Sequence, residues 1–381
     1  MTAPSARFDL AVVGAGIVGL ATALAAVRRG LKVVVLDRDA QANGASVRNF
    51  GLTVVTGQER GVMWRRAQRT REVWREVCAA AGIAIVQSGL WMTARKAESL
   101  AVLEAFLATD MATGCRLLTA AEARRRCPPL QSPSLLGVLE SDAELRVESR
   151  VAIPCLAAWL TVTHGVSFMR NTNVRGIDTP RVHTTRGVVH ADRVAVCPGD
   201  DFTSLYPERL DARALTRCKL QMLRLADPGF RLPAALMSDL SLIRYLGYAR
   251  LPAAARLATR LAAEQPRHLR HGVHLIVVQN ADGSLVVGDS HEYAATPEPF
   301  AREEIDALIL DELHAALGID PPATLERWVG TYASAHDRAV LIDAPEPHVR
   351  LAIVTSGAGA SIGFALGEEL VASLFEGDAA G

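Results

Sequence analysis

The chain has 381 residues, half of them hydrophobic, enough for two domains or one large two-lobed unit with a core that needs no disulfide or metal staples. Forty-one basic residues balance 41 acidic ones, so the formal net charge is zero, and without a basic stripe nucleic acid is excluded as a partner. Cys78, Cys115, Cys127, Cys155, Cys197 and Cys218 show neither C-x-x-C nor metal-ligand spacing, which fits reduced thiols in a cytoplasmic protein and predicts no metal site.

Asp9 to Val13 is a short β-branched run and predicts a buried strand. Gly14-Ala15-Gly16-Ile17-Val18-Gly19 then fits G-x-G-x-x-G; Ile17 to Arg28 has helical character, Gly30 stops it, and Lys32 to Leu36 is a second apolar strand ending in Asp37. This is a complete βαβ unit in about 30 residues. Gly14 suits the tight turn, Gly16 lets backbone approach a pyrophosphate, and Gly19 lets helix pack on strand. The helix N-terminus offers free N–H groups and a partial positive charge to phosphates. Asp37 can accept hydrogen bonds from a ribose diol. The pattern predicts a dinucleotide site. The uncharged run from Leu10 to Val27 would suit a membrane span on hydropathy alone, but its glycines and the strand that follows argue against one. No further stretch is long and apolar enough to cross a bilayer.

Arg38 to Gly51 is a small, polar loop containing Gly44-Ala45-Ser46-Val47-Arg48-Asn49-Phe50-Gly51. A plain nicotinamide-binding fold does not require it. In glutathione-reductase-type flavoproteins a Gly-Ala-Ser loop at this place wraps the flavin end of FAD. Here the chain resembles the D-amino-acid oxidase superfamily, in the branch of sarcosine and glycine oxidases. The Ser46-x-Arg48-Asn49-x-Gly51 wording is similar to a bacterial subgroup of FAD oxidoreductases associated with aminophosphonate breakdown.

Further along, Trp64 to Gly82 reads as an amphipathic helix, Ile83 to Met92 as a strand pair around Ser88-Gly89, and Lys96 to Thr113 as a helix. Thr119 and Glu122 form a capping-box pattern for a short helix, and Leu135 to Glu140 is a strand. Glu148 to Thr163 is a helix carrying Pro154. Short strands follow at 166–171 and 173–177, then a hairpin at 182–196 that runs into Cys197-Pro198-Gly199. Leu215 to Ala226, Leu236 to Leu246, 273–280 and 284–290 read as strands, with Asp282-Gly283 as a hairpin turn. Pro252 to Glu264 and Pro299 to Leu317 are helices, and Glu326 to Tyr332 and Leu351 to Thr355 are strands. Gly357-Ala358-Gly359-Ala360-Ser361 opens a last helix ending near Phe375. That helix mouth reads as a second contact to the same cofactor, not as a second nucleotide site.

The resemblance spans essentially the whole chain and implies an α/β fold: a Rossmann-like FAD-binding domain with an inserted antiparallel-sheet substrate domain. Residues 1–82, 141–214 and 326–381 are expected to form the first, 83–140 and 215–325 the second. It implies cofactor contacts from Gly14, Ala15, Gly16, Ile17, Val18, Gly19, Asp37, Arg38, Gly44, Ala45, Ser46, Arg48, Asn49 and Gly51. Val174, Cys197, Pro198, Gly199, Gly357, Gly359, Ala360 and Ser361 complete that set. His291 and Tyr332 fall where the sarcosine-oxidase branch has an active-site histidine and tyrosine. The cysteine that tethers flavin in that branch is Gly330 here, which implies non-covalent FAD. The branch's oxygen-assisting lysine is Val287, with Lys219 as a candidate substitute. Its carboxylate-binding lysine is Ser361, whose hydroxyl at a helix N-terminus suits a tetrahedral anion as well as a flat one.

The implied chemistry is hydride transfer from the α-carbon of a small anionic amine to flavin N5, giving an imine that water hydrolyses. Arg48, Ser361 and Arg244 are the candidate anion clamp, with Lys219 beside them. His291, Tyr332 and Arg48 are the candidates at the reacting end. The substrate reading is an N-substituted aminophosphonate such as N-methyl-2-aminoethylphosphonate. The alternatives are a D-amino acid, glycine or sarcosine, and a flavin-binding module without turnover, which predicts a blocked cavity. The electron acceptor is oxygen or another carrier.

Overall fold

The computed structural model describes residues 7–376. The N-terminal strand Arg7–Val13 lies at the centre of a sheet whose neighbours are all parallel to it: Val33–Leu36 on one side and Gly187–Val196 on the other. Ser167–Met169 and Val349–Val354 extend the parallel run outward, and Val340–Glu346 closes one edge antiparallel. Such strands are covered on both faces and read as continuous apolar runs. Here Leu10 and Val12 face one core, with helices Ile17–Val27, Val62–Ala81, Ser149–His164 and Gly359–Phe375, while Ala11 and Val34 face another.

A second, mostly antiparallel sheet holds ten strands among the described residues. Its long members are Gln87–Ala94, Gly137–Arg146, Thr216–Leu225 and Thr324–Ser334, the last two paired along their whole length. Helix Glu303–Leu317 packs on the face opposite the first sheet's nucleotide turn, with Leu223, Leu285 and Val287 in one cluster.

The capping box forms as the sequence predicts: Thr119 Oγ1 accepts from the Glu122 N–H, and Glu122 accepts from the Thr119 N–H. Two local expectations change. The segment expected as a strand pair at 83–92 is one strand, Gln87–Ala94, with a register shift at Gly89 (φ +81°), where a Cβ would press on the Ser141 carbonyl at 2.7 Å. The strand expected over 236–246 stops at Met237, because Asp239 is drawn into buried ion pairs with Arg95 and Lys96 and the chain tightens into a 3₁₀ turn over Asp239–Ile243. Val340–Glu346, with its Asp, Pro and Glu, is a strand that periodicity does not reveal. No helix among the described residues is long and apolar enough to cross a membrane.

Candidate functional site: a cleft between two helix mouths

The glycines at the first turn behave as their spacing predicts. Gly14 sits at φ +101°, where a Cβ would lie 2.3 Å from the Cys197 carbonyl oxygen. A Cβ on Gly19 would lie 1.8 Å from the Gly14 oxygen, so only glycine lets this helix start against its strand. Helices Ile17–Val27 and Gly359–Phe375 then run side by side. Gly363 meets Ile17 and Gly367 meets Ala21 and Thr22, later residues against later ones, so the two helices are parallel and their N-termini open together.

Both mouths open into one cleft of about 740 Å³. Its walls include Gly14, Gly16, Ile17, Val18, Gly19, Asp37, Arg38, Gly44, Ala45, Ser46, Arg48, Asn49 and Gly51. Val174, Cys197, Pro198, Gly199, Gly357, Gly359, Ala360 and Ser361 line it as well, as do Arg244, His291 and Tyr332. Two predicted residues stand apart. Ala15 is fully buried beneath the turn, and its N–H donates to Asp37 Oδ2 at 2.6 Å. Lys219 does not reach the cleft: strand alternation sends Leu220 and Met222 towards it and Lys219 the other way. There its ammonium pairs with Glu292 at 2.5 Å and donates to the Phe300 carbonyl at 3.2 Å. Val287 likewise faces the far core.

The loop at 44–51 is pinned from both sides. Ser46 Oγ accepts from the Ile17 N–H at 2.9 Å, capping the first helix from outside its own chain segment. Asn49 Oδ1 accepts from the Gly51 N–H and the Ser149 hydroxyl. Arg48 donates to the Val329 carbonyl and to Asn43. Ser361 Oγ accepts from the Val54 N–H at 2.9 Å, which leaves its own hydrogen to donate. Gly330 lines the cleft, and a Cβ there would lie 2.7 Å from Leu220 Cδ1, so that side chain would have to shift. Cys197 is buried, and desolvation pushes its thiol up to about 12.

The other end of the cleft is assembled from distant segments. Tyr332 comes from strand Thr324–Ser334 and packs over Gly357, where a Cβ would stand 3.0 Å from its Cζ. Burial holds its phenol, and that of Tyr293, protonated well past neutrality. Arg244 is half-buried and donates to the Tyr293 hydroxyl at 3.1 Å, its only side-chain hydrogen bond among the described residues. Burial works against its charge, but Tyr293, Tyr332 and Asp289 outweigh that and hold it firmly cationic.

His274, Asp289 and Tyr293 line the same end and were not foreseen. His274 and Asp289 exchange both backbone hydrogen bonds, continuing the hairpin of Ile276–Gln279 and Leu285–Gly288. One signal was available: His274 keeps the two-residue spacing of Ile276 and Val278, the core face on the cleft side. The sequence predicted no metal set, yet ligand atoms of His274, Asp289 and His291 lie within 4.8 Å of one another. Burial pulls His291 down to about 3 and His274 below its ordinary value, against the attraction of Asp289. Burial opposes the Asp289 charge, but His291, His274 and Arg244 hold its carboxyl below the usual range.

This arrangement fits an extended dinucleotide: a glycine turn and Asp37 at one end, two helix mouths opening along the cleft, and an aromatic, ionisable chamber at the other. Residues 9–373 match the family model described as FAD dependent oxidoreductase. The chain belongs to that family. Its cofactor is therefore FAD, and it is an FAD-dependent oxidoreductase. The fold is similar to glycine oxidase from Bacillus cereus (17% identity, 97% of this chain and 95% of that one, TM-score 0.77). It is also similar to L-proline dehydrogenase from P. horikoshii (17%, 98% and 95%, TM-score 0.78). A third similar structure is L-α-glycerophosphate oxidase from Mycoplasma pneumoniae, determined with FAD bound (15%, 97% and 95%, TM-score 0.74). No curated protein sequence matches the chain.

Proposed function

We propose that this oxidoreductase acts on a small anionic amine, and that the amine is an N-substituted aminophosphonate such as N-methyl-2-aminoethylphosphonate. One observation carries the reading. Arg244, fixed by one hydrogen bond to Tyr293, keeps its other N–H donors for the cleft. Arg48 and the Ser361 hydroxyl add donors to the same cleft, a supply that suits the three oxygens of a phosphonate. Glycine oxidase and L-proline dehydrogenase, both similar in fold, carry amines or amino acids in their names, which supports the amine class.

FAD, held without a covalent tether, supplies the two-electron acceptor that turns the amine into an imine, which water then hydrolyses to an aldehyde. The first helix mouth would hold its diphosphate and the last would face its ribityl and ring end, and residues 1–82, 141–214 and 326–381 form the lobe that binds it, apart from 52–53, 141–146 and 326–334, which pair into the second sheet. Residues 83–140 and 215–325 frame the substrate. Arg244 and Ser361 hold the anionic end, and Tyr332 and His291 shape the chamber and shed bulk water. His291 is neutral near pH 7, so its ring accepts hydrogen bonds without adding a second positive charge beside Arg244.

The test is anaerobic titration of the FAD-loaded enzyme with N-methyl-2-aminoethylphosphonate, sarcosine, glycine and a D-amino acid. Bleaching of the visible flavin band by the phosphonate at the lowest concentration is expected. Bleaching by the amino carboxylates alone sinks the phosphonate reading and leaves an amino-acid oxidoreductase.

A further inference from the structure

The amine chamber has one feature that an anion clamp does not use. Asp289 is 5% exposed, yet its Oδ1 has no hydrogen-bond partner. His274 Nε2 stands 3.1 Å away, close enough for attraction but out of line for a hydrogen bond. His291 Nε2 stands 3.7 Å from Asp289 Oδ2, beyond hydrogen-bond length. Both imidazoles are fixed from behind. His291 Nδ1 meets the Gly272 carbonyl at 2.9 Å, and a carbonyl can only accept, so Nδ1 carries the hydrogen and Nε2 carries a lone pair. His274 Nδ1 meets the Ser241 hydroxyl at 3.1 Å. Gly272 sits at φ +57°, and a Cβ there would lie 2.8 Å from the His291 Cβ, so the close approach that locks the ring needs glycine. The outcome is a buried set of acceptors, a carboxylate oxygen and an imidazole lone pair, with no donor of the chain to satisfy them.

We infer that His274, Asp289 and His291 form the seat for the substrate's nitrogen, and that the occupant is a neutral primary or secondary amine whose N–H donates to the Asp289 carboxylate, a primary amine's second N–H meeting His291 Nε2. This rests on the reading of the substrate as an anionic amine. It adds where the nitrogen sits and which groups choose it. Arg244 takes the anionic end, and its field opposes that of Asp289 at both histidines, which weakens the seat's hold on a proton. The seat therefore holds the nitrogen by its hydrogens while the lone pair is released. A divalent metal would also suit two imidazoles and a carboxylate, but the cationic Arg244 beside them disfavours a second fixed positive charge.

Two ligand pairs test this on the FAD-loaded enzyme by calorimetry, and none of the four can turn over, because no carbon next to nitrogen bears hydrogen. One pair is 2-amino-2-methylpropylphosphonate against neopentylphosphonate; the other is 2-amino-2-methylpropionate against pivalate. In each, a methyl group replaces the amine. The amine member of whichever pair binds is expected to win by about 10- to 100-fold, the scale of leaving a buried acceptor unpaired. Asp289→Asn is expected to bring that ratio close to one while FAD content stays full. Should that variant fail to fold, His291→Phe, which keeps the ring volume and removes the lone pair, reads the same ratio. An unchanged ratio in the variant, or equal binding of both members by the native enzyme, overturns the seat. So does stoichiometric divalent metal in the purified enzyme that is lost in Asp289→Asn. Binding by the carboxylate pair alone overturns the phosphonate reading and leaves the seat standing. Binding by neither pair overturns the anionic-amine reading and the seat with it.

Discussion

Gly367→Ala is the sharpest probe of the scaffold. A Cβ at this position would lie 2.6 Å from the Ala21 carbonyl carbon and 2.7 Å from the Thr22 nitrogen. Ordinary carbon contacts need about 3.5–4.0 Å, so the first and last helices must part by roughly 1 Å. The obstacle is backbone, which cannot rotate away. Overpacking of this kind costs about 1–3 kcal/mol. Alanine recovers up to about 1 kcal/mol through helix propensity. The expected net loss is about 1–2 kcal/mol, a fall in Tm of roughly 1–3 °C for a chain of this length. The helix mouths proposed to meet FAD move with the helices, so FAD affinity is expected to fall about tenfold, equivalent to about 1.4 kcal/mol. Gly363→Ala is the control. Its one tight contact would be the Ile17 side chain at 3.2 Å, which can yield, while the Ile17 backbone stays at an ordinary 3.9 Å, so neutral or raised stability is expected. Calorimetric Tm and flavin-fluorescence titration report both effects. If Gly367→Ala matches the native chain in Tm and FAD affinity, the parallel packing of the two helices is wrong.

Acid should destabilise the fold through the buried histidines. His291 titrates near 3 in the fold against 6.5 unfolded, so its contribution is complete above pH 6.5 and is lost as pH falls, by about 1.4 kcal/mol per unit and roughly 3 kcal/mol by pH 4.5. His274 is also held low and adds loss in the same window, whereas Asp289 adds its loss only below about pH 4; urea midpoints between about pH 6.5 and 4.5 should fall less steeply in His291→Asn, and equal slopes would contradict the burial argument. Lys219→Met should leave flavin reduction by substrate unchanged and lower Tm modestly by leaving Glu292 with Arg302 alone; slowed reduction with full FAD content would place the lysine in the chemistry after all. Ser46→Ala should cost about 1 kcal/mol as a lost helix cap and weaken FAD retention, read by the FAD released on gel filtration. Arg95→Met leaves Glu312 buried without its cation and Asp239 with Lys96 alone, and should cost about 3–5 kcal/mol in chemical denaturation; a loss under about 1 kcal/mol would deny the cluster its structural role.

The nucleotide end was legible because its determinants are close in sequence. Gly14, Gly16, Gly19 and Asp37 lie within one βαβ unit, and each acts within a few residues of the next strand or turn. The last helix mouth was legible for the same reason, through Gly357, Gly359 and Ser361. Where a side chain's fate depends on a distant partner, local pattern fails. The Leu236–Leu246 run is strand-like by composition, but Arg95, more than 140 positions earlier, claims Asp239 and ends the strand at Met237. Val340–Glu346 carries Asp343 and Pro345 and becomes a strand only because Val349–Val354 is beside it.

The substrate end is harder for a geometric reason. Lys219 was attractive as a rare lysine on a strand of the right lobe, but a strand offers its side chains to two faces, and sequence does not say which face holds the cleft. Pairing decides it. Once Thr216–Leu225 lies against Thr324–Ser334 and Leu285–Gly288, Leu220 and Met222 turn to the cleft, and Lys219 and Gln221 turn to Phe300, Arg302 and Asp306. The same pairing brings His274 across from Asp289 and His291 beside both. Three residues from two segments thus become one acceptor set through the register of a hairpin, and no spacing rule applied to either segment alone would assemble them. Nucleotide recognition in this chain is therefore written locally, while choice of substrate is written in strand register. A change at one end of the cleft should alter FAD affinity and a change at the other should alter ligand preference, with little exchange between the two.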